Sequence, residues 1–148
     1  MRREPVALLL LGTLAGCRSA GPGRTSDGFE ELGSLHRPVS TRSAEAQRWF
    51  DRGLALCYGY NHAEAIACFE RAAAADSDCA MAYWGIAFAA GPHINNPAMD
   101  EAASKTAWEA AQRALARRGG ASPVEQALID AVAKRYAWPP PADRKELE

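Results

Sequence analysis

The sequence is poor in the residues that build sheets. Val, Ile and Thr number only four each among 148 residues, and strands depend on β-branched and aromatic side chains. A sandwich, a barrel or a doubly wound sheet is thereby excluded. No long hydrophobic run exists either. The apolar stretch Val6–Gly16 has eleven residues and the uncharged stretch Cys79–Ala90 has twelve, whereas a membrane span takes about 20. Neither sign of charge dominates, since 17 basic residues are interspersed with 18 acidic ones. Without a basic stripe to neutralise phosphates, nucleic acid is not expected as a partner. G-x-S-x-G, phosphate-loop, H-E-x-x-H, C-x-x-C and C-x-x-C-H signatures are all missing. Glu30-Glu31 and Asp76/Asp78 fall in segments read below as a tether and a turn, which leaves no close pair of carboxylates for acid–base work. No catalytic residue, metal or cofactor is therefore assigned. Alanine, by contrast, occurs 32 times. It is the best intrinsic helix former, and the length allows one domain at most, so the expected fold is all-α.

The first residues read as an address. Arg2 and Arg3 precede the apolar run Val6–Leu11, and small residues follow, the order of a secretory signal peptide. Its end, Leu14-Ala15-Gly16-Cys17, resembles the lipobox of bacterial lipoproteins. The resemblance implies a signal peptide over residues 1–16 and acylation of Cys17, whose thiol is the nucleophile for the thioether. Several acyl chains on one residue anchor stably, each buried methylene contributing about 0.8 kcal/mol. Arg18 follows, which by the family's sorting rules implies the outer membrane, facing the periplasm. The plain alternative is a conventional signal that happens to contain Cys17. Residues 17–42 read as the lipidated cysteine and a flexible tether, punctuated by Gly21, Pro22, Gly23, Gly28, Gly33 and Pro38. Phe29, Leu32, Leu35 and Val39 could dock locally.

Residues 43–138 carry a helical period. Ala46, Trp49, Phe50, Gly53, Leu54 and Cys57 share one helix face, and Tyr58-Gly59-Tyr60-Asn61 breaks the period. A second helix is predicted to bury Ala65, Ile66, Phe69, Ala72 and Ala73. The third, Cys79–Ala90, is apolar all round and so belongs between neighbours. Gly91-Pro92 stops it, and a polar loop follows. A fourth helix is expected from about Met99 to Arg118, with Ala103, Ala107, Trp108, Ala111, Ala114 and Leu115 inward. Ser122-Pro123-Val124-Glu125 is a capping box with proline at the first helical position. The helix it opens is predicted to bury Val124, Ala127, Leu128, Ala131 and Val132. Residues 139–148 are a Pro-rich break followed by the start of a helix that does not continue.

Within the helical region, Ala46 and Ala80, Trp49 and Tyr83, and Gly53 and Ala87 each stand 34 residues apart. That is the tetratricopeptide period. Trp49, Gly53, Leu56, Ala65, Phe69 and Ala72 fit its pattern, with Arg52 in place of the usual leucine. The segment Trp49–Asn96 thus resembles a tetratricopeptide-repeat module. More narrowly it resembles bacterial envelope proteins, in Trp49-Phe50-Asp51-Arg52-Gly53-Leu54, Tyr58-Gly59-Tyr60-Asn61-His62-Ala63-Glu64-Ala65 and Cys79-Ala80-Met81-Ala82-Tyr83-Trp84-Gly85-Ile86-Ala87. The resemblance implies antiparallel helical hairpins stacked as a short solenoid. It also implies a protein or peptide partner on helix positions such as Arg48, Asp51, Arg52 and Ala55. The second unit departs from the pattern because Gly91–Ser104 lengthens the loop before its second helix.

Two clusters invite other chemistry. Asn61, His62, His93 and Asn95 lie in turns that follow the first helices of consecutive units, so a polar site could form at one edge. Local turn and capping chemistry explains the same residues. Cys57, Cys68 and Cys79 are spaced by eleven, and small buried cysteines in helix packing explain them equally. The expected function is a lipid-anchored scaffold or adaptor in the bacterial cell envelope, not an enzyme. A competing reading makes the chain an accessory domain of an envelope metal or redox enzyme using the histidines and thiols. Another makes it a truncated fragment of a longer repeat protein.

Overall fold

The computed structural model describes residues 32–94 and 97–147. Among these residues there are five α-helices and no strand: α1 (Ala44–Tyr58), α2 (His62–Ala75), α3 (Ala80–Ala90), α4 (Glu101–Arg117) and α5 (Pro123–Ala133), with short 3-10 turns at Arg118–Gly120 and Lys145–Leu147. The all-α expectation holds. No helix among them is long and apolar enough to cross a membrane. The signal segment, Cys17 and Asn95 lie outside the described residues.

Local chemistry starts these helices where the sequence places the starts. The Ser43 hydroxyl accepts from the Ala46 N–H at 3.1 Å, Asp100 accepts from Ala103 at 2.7 Å, and the capping box of Ser122 and Glu125 is complete. Where α1 ends, the Asn61 N–H reaches the Leu56 carbonyl and the Tyr60 N–H reaches that of Cys57. This is a Schellman closure, whose left-handed position usually holds glycine. Here Tyr60 takes it, with φ +59°, although Gly59 is the preceding residue.

Packing follows from small residues. α1 packs most closely on α2 and α3 on α4, then α2 on α3; α5 rests on α3 and α4. Because three residues join α1 to α2, the two run antiparallel. Phe69 of α2, fully buried, sits between Gly53 of α1 and Gly85 of α3. A Cβ at Gly53 would stand 2.6 Å from the Phe69 ring, and one at Gly85 would stand 2.5 Å from it. Phe50 packs on the same ring, centroids 5.5 Å apart. Farther along, the Trp84 indole N–H donates to the Leu128 carbonyl at 3.1 Å. The Tyr136 hydroxyl donates to the Ala87 carbonyl at 2.8 Å, satisfying one of the acceptors left at the end of α3.

One expectation is corrected. The inner face of α5 is Glu125, Ile129 and Val132, continued by Tyr136. Val124 is 63% exposed, and Ala127 and Ala131 are also on the outside, with Leu128 half-buried. The predicted stripe is displaced because Glu125, a charged residue, must turn inward to reach partners described below. Residues 37–40 run beside the helices and give their backbone N–H groups to helix side chains, and a tight turn at Ser40 closes the Thr41 N–H on the Val39 carbonyl at 2.8 Å.

Candidate interaction surface

The helix face singled out by the repeat resemblance lies on α1. Arg48 is exposed, while Asp51, Arg52 and Ala55 are half-buried. The Arg52 guanidinium stands 5.0 Å from the centroid of the Trp49 ring, and that of Arg71 stands 4.6 Å from it. Two cations thus engage one indole, an arrangement favoured by the ring's quadrupole. Asp51 is engaged from another direction. Its Oδ1 accepts from the Arg37 N–H at 3.0 Å and from Gln47 Nε2 at 3.0 Å. His36 Nδ1 lies 2.7 Å from its Oδ2.

The stretch continues along the helix. Gln47, one turn before Asp51, reads the backbone in both directions: Nε2 donates to the Arg37 carbonyl at 2.8 Å and Oε1 accepts from the Val39 N–H at 3.0 Å. Pro38, between them, has no N–H to satisfy. The Ser40 N–H then donates to Glu125 Oε1 at 2.8 Å, and the Ser40 hydroxyl donates to Oε2 of the same carboxylate. Thr41 donates through its hydroxyl to Asp76, beyond the end of α2. The three backbone N–H groups of residues 37–40, Pro38 having none, are therefore all taken by side chains of α1 and α5.

Glu125 is the least expected member of this surface. It is 4% exposed, and burial on its own would raise its pKa. Hydrogen bonds from the Ser40 hydroxyl, the Ser122 and Ser40 N–H groups and the Ser122 hydroxyl outweigh burial and hold the carboxyl below its ordinary value. The sequence shows Glu125 as a capping-box residue, a role that occupies one oxygen with a local donor. The second oxygen answers to Ser40, 85 residues away, and no local pattern reports that. Gln47 carries no sequence signal beyond its place one turn from Asp51.

At the opposite edge the structure brings His62 and His93 together. Their rings stack with centroids 4.1 Å apart and planes 12° from parallel. His62 Nδ1 lies 3.2 Å from the Tyr60 carbonyl, whereas His93 Nδ1 is buried without a partner. Asn61 is exposed and makes no side-chain cap to α2. The pair opens on a cleft of about 310 Å³ whose other walls include Ile66, Ala90, Met99 and Ala103. Lone pairs of stacked imidazoles lie in parallel planes and do not converge on one ion at the ~2.0–2.1 Å that a histidine–zinc bond needs. Among the described residues no three His, Cys, Asp or Glu side chains are placed to hold a metal. The competing metal or redox reading gains nothing from this geometry.

Cys57, Cys68 and Cys79 are buried and in no disulfide. Burial pushes the Cys57 thiol up to about 11 and raises Cys79 as well, so neither favours the nucleophilic thiolate. They serve as small packing residues. Compared with protein-family models, with characterised proteins and with solved structures, the chain finds no match in any of the three.

Proposed function

We propose that the chain is a tetratricopeptide-type adaptor, held at the bacterial cell envelope by a lipid on Cys17, which grips a non-helical segment of a partner protein. The observation that carries this reading is the seating of residues 36–40 on α1 and α5. Gln47, Asp51 and Glu125 hold the backbone of a non-helical segment through side-chain donors and acceptors, and a surface that satisfies one such segment is chemically suited to another. Asp51 joins this seat to the helix positions that the resemblance implicates, Arg48, Asp51, Arg52 and Ala55. The repeat reading is supported by the burial of Ala46, Gly53, Ala80 and Ala87, small residues paired at the 34-residue offset. The lipid anchor rests on Leu14-Ala15-Gly16-Cys17 alone, and the outer-membrane assignment on Arg18.

A photoreactive residue placed at Arg48 of the full chain, expressed in a bacterial envelope, tests the adaptor. A discrete adduct at position 48, absent when the probe sits at exposed Gln112 on α4, is the expected result. Identical patterns at both positions would contradict it. The anchor is tested separately: Cys17→Ala should leave the membrane fraction and take up no labelled palmitate, and continued membrane partitioning of that variant would disprove lipidation.

A further inference from the structure

We infer that the surface of α1 and the start of α5 accepts a partner's segment in which proline is followed by an apolar residue and then, at a tight turn, by Ser or Thr, and that residues 36–41 are the chain's own exchangeable occupant. The inference rests on the adaptor reading above and adds to it the occupant's chemistry and a competitor built into the chain.

The register specifies the occupant. Arg37 offers its N–H to Asp51 and its carbonyl to Gln47. The next position is best without an N–H, and Pro38 has none. Val39 gives its N–H to Gln47 while its side chain packs, partly buried, against the helical core. Ser40 uses both its N–H and its hydroxyl on Glu125. Side chains at 37 and 38 face solvent and the exposed His36 ring reaches Asp51 at 2.7 Å, so below the surface selection falls on the apolar and hydroxyl positions. Proline also restricts the residue before it to extended backbone, which lowers the ordering cost for any segment that carries it.

The seating is shallow, and that makes it exchangeable. Leu32 and Val39 are the partly buried apolar residues that this stretch contributes to the core. The other contacts are hydrogen bonds from exposed or half-buried residues of the stretch, two of them ending on the buried Glu125 carboxylate. No residue of the stretch plays the part that Phe69 plays between α1 and α3. Release can therefore precede unfolding of the helices, as expected of a region with few buried apolar contacts.

The test is a titration of a labelled peptide of residues 34–42 into the unmodified full chain and two full-chain variants. Ser40→Glu sets a second carboxylate against Glu125, and Val39→Pro removes the N–H given to Gln47. Both should keep the helical content of the unmodified chain and bind the peptide at least ~10-fold more tightly, because the free surface is no longer a minor population. Adding Asp51→Ala to Ser40→Glu should abolish that gain, and a peptide with alanine in place of Ser40 should bind several-fold more weakly. Folded variants that bind no better than the unmodified chain would overturn the inference. So would loss of helical content in both, since the segment would then be an integral part of the fold. Tighter peptide binding without an adduct at position 48 in the envelope supports the exchangeable surface and contradicts the adaptor. Adducts at position 48 that Ser40→Glu leaves unchanged, with no gain in peptide binding, contradict the exchange alone.

Discussion

At the residue scale, two side chains carry most of the specification. Phe69 is enclosed by two glycines on different helices, so the approach of α1, α2 and α3 depends on what those positions lack. Gly85→Ala sets a methyl group 2.5 Å from the Phe69 ring, and overpacking of this kind costs about 1–3 kcal/mol. Gly119→Ala, with open space around it, should be near neutral, and urea unfolding of the two variants provides the comparison. Glu125 sets a pH dependence. Its folded pKa lies below the ordinary 4.5, so its contribution to stability is complete above that value and is lost as pH falls through the lower, folded one. Thermal melting of Glu125→Gln should therefore show lower stability than the unmodified chain at neutral pH and a flatter response below about pH 4.5. Equal acid sensitivity in both proteins would mean that Glu125 is not the responsible group.

At the element scale, the helix ends decide how the hairpins close. Tyr60 occupies a left-handed position that disfavours any side chain by about 1–2 kcal/mol. Allowing for the freedom that glycine adds to the unfolded chain, Tyr60→Gly should raise stability by about 0.5–1 kcal/mol, measurable as a shift in the denaturant midpoint. The contrast between α1 and α5 shows what a sequence reveals of such elements. The inner face of α1 is legible because Ala46, Phe50, Gly53, Leu54 and Cys57 repeat at helical spacing and meet only apolar neighbours. The inner face of α5 is not, because the residue that orients it is a glutamate whose second partner, Ser40, lies far off in the chain. A pattern that ranks residues by hydrophobicity puts Val124 inside and Glu125 outside, and the hydrogen bonds reverse the two. The pairing of His62 with His93 is legible for the opposite reason: His62 opens α2 just after the end of α1, and His93 follows the end of α3. Their parallel stacking is a matter of ring orientation, on which spacing is silent.

At the scale of the whole molecule, the helical body and the stretch that precedes it differ in how they are held. The helices are joined by buried small residues and one central aromatic. Residues 36–41 are joined to them by side chains that satisfy backbone N–H groups, and the proposed adaptor rests on this difference. Hydrogen exchange of the backbone amides of the unmodified full chain at neutral pH tests the central claim most directly. The amides of Arg37, Val39 and Ser40 should exchange together, at least ~10-fold slower than in the free peptide and clearly faster than those of Phe50 and Phe69. Exchange of the three at free-peptide rates would contradict the account, because no held segment would exist; exchange as slow as in the helical core would contradict its exchangeability.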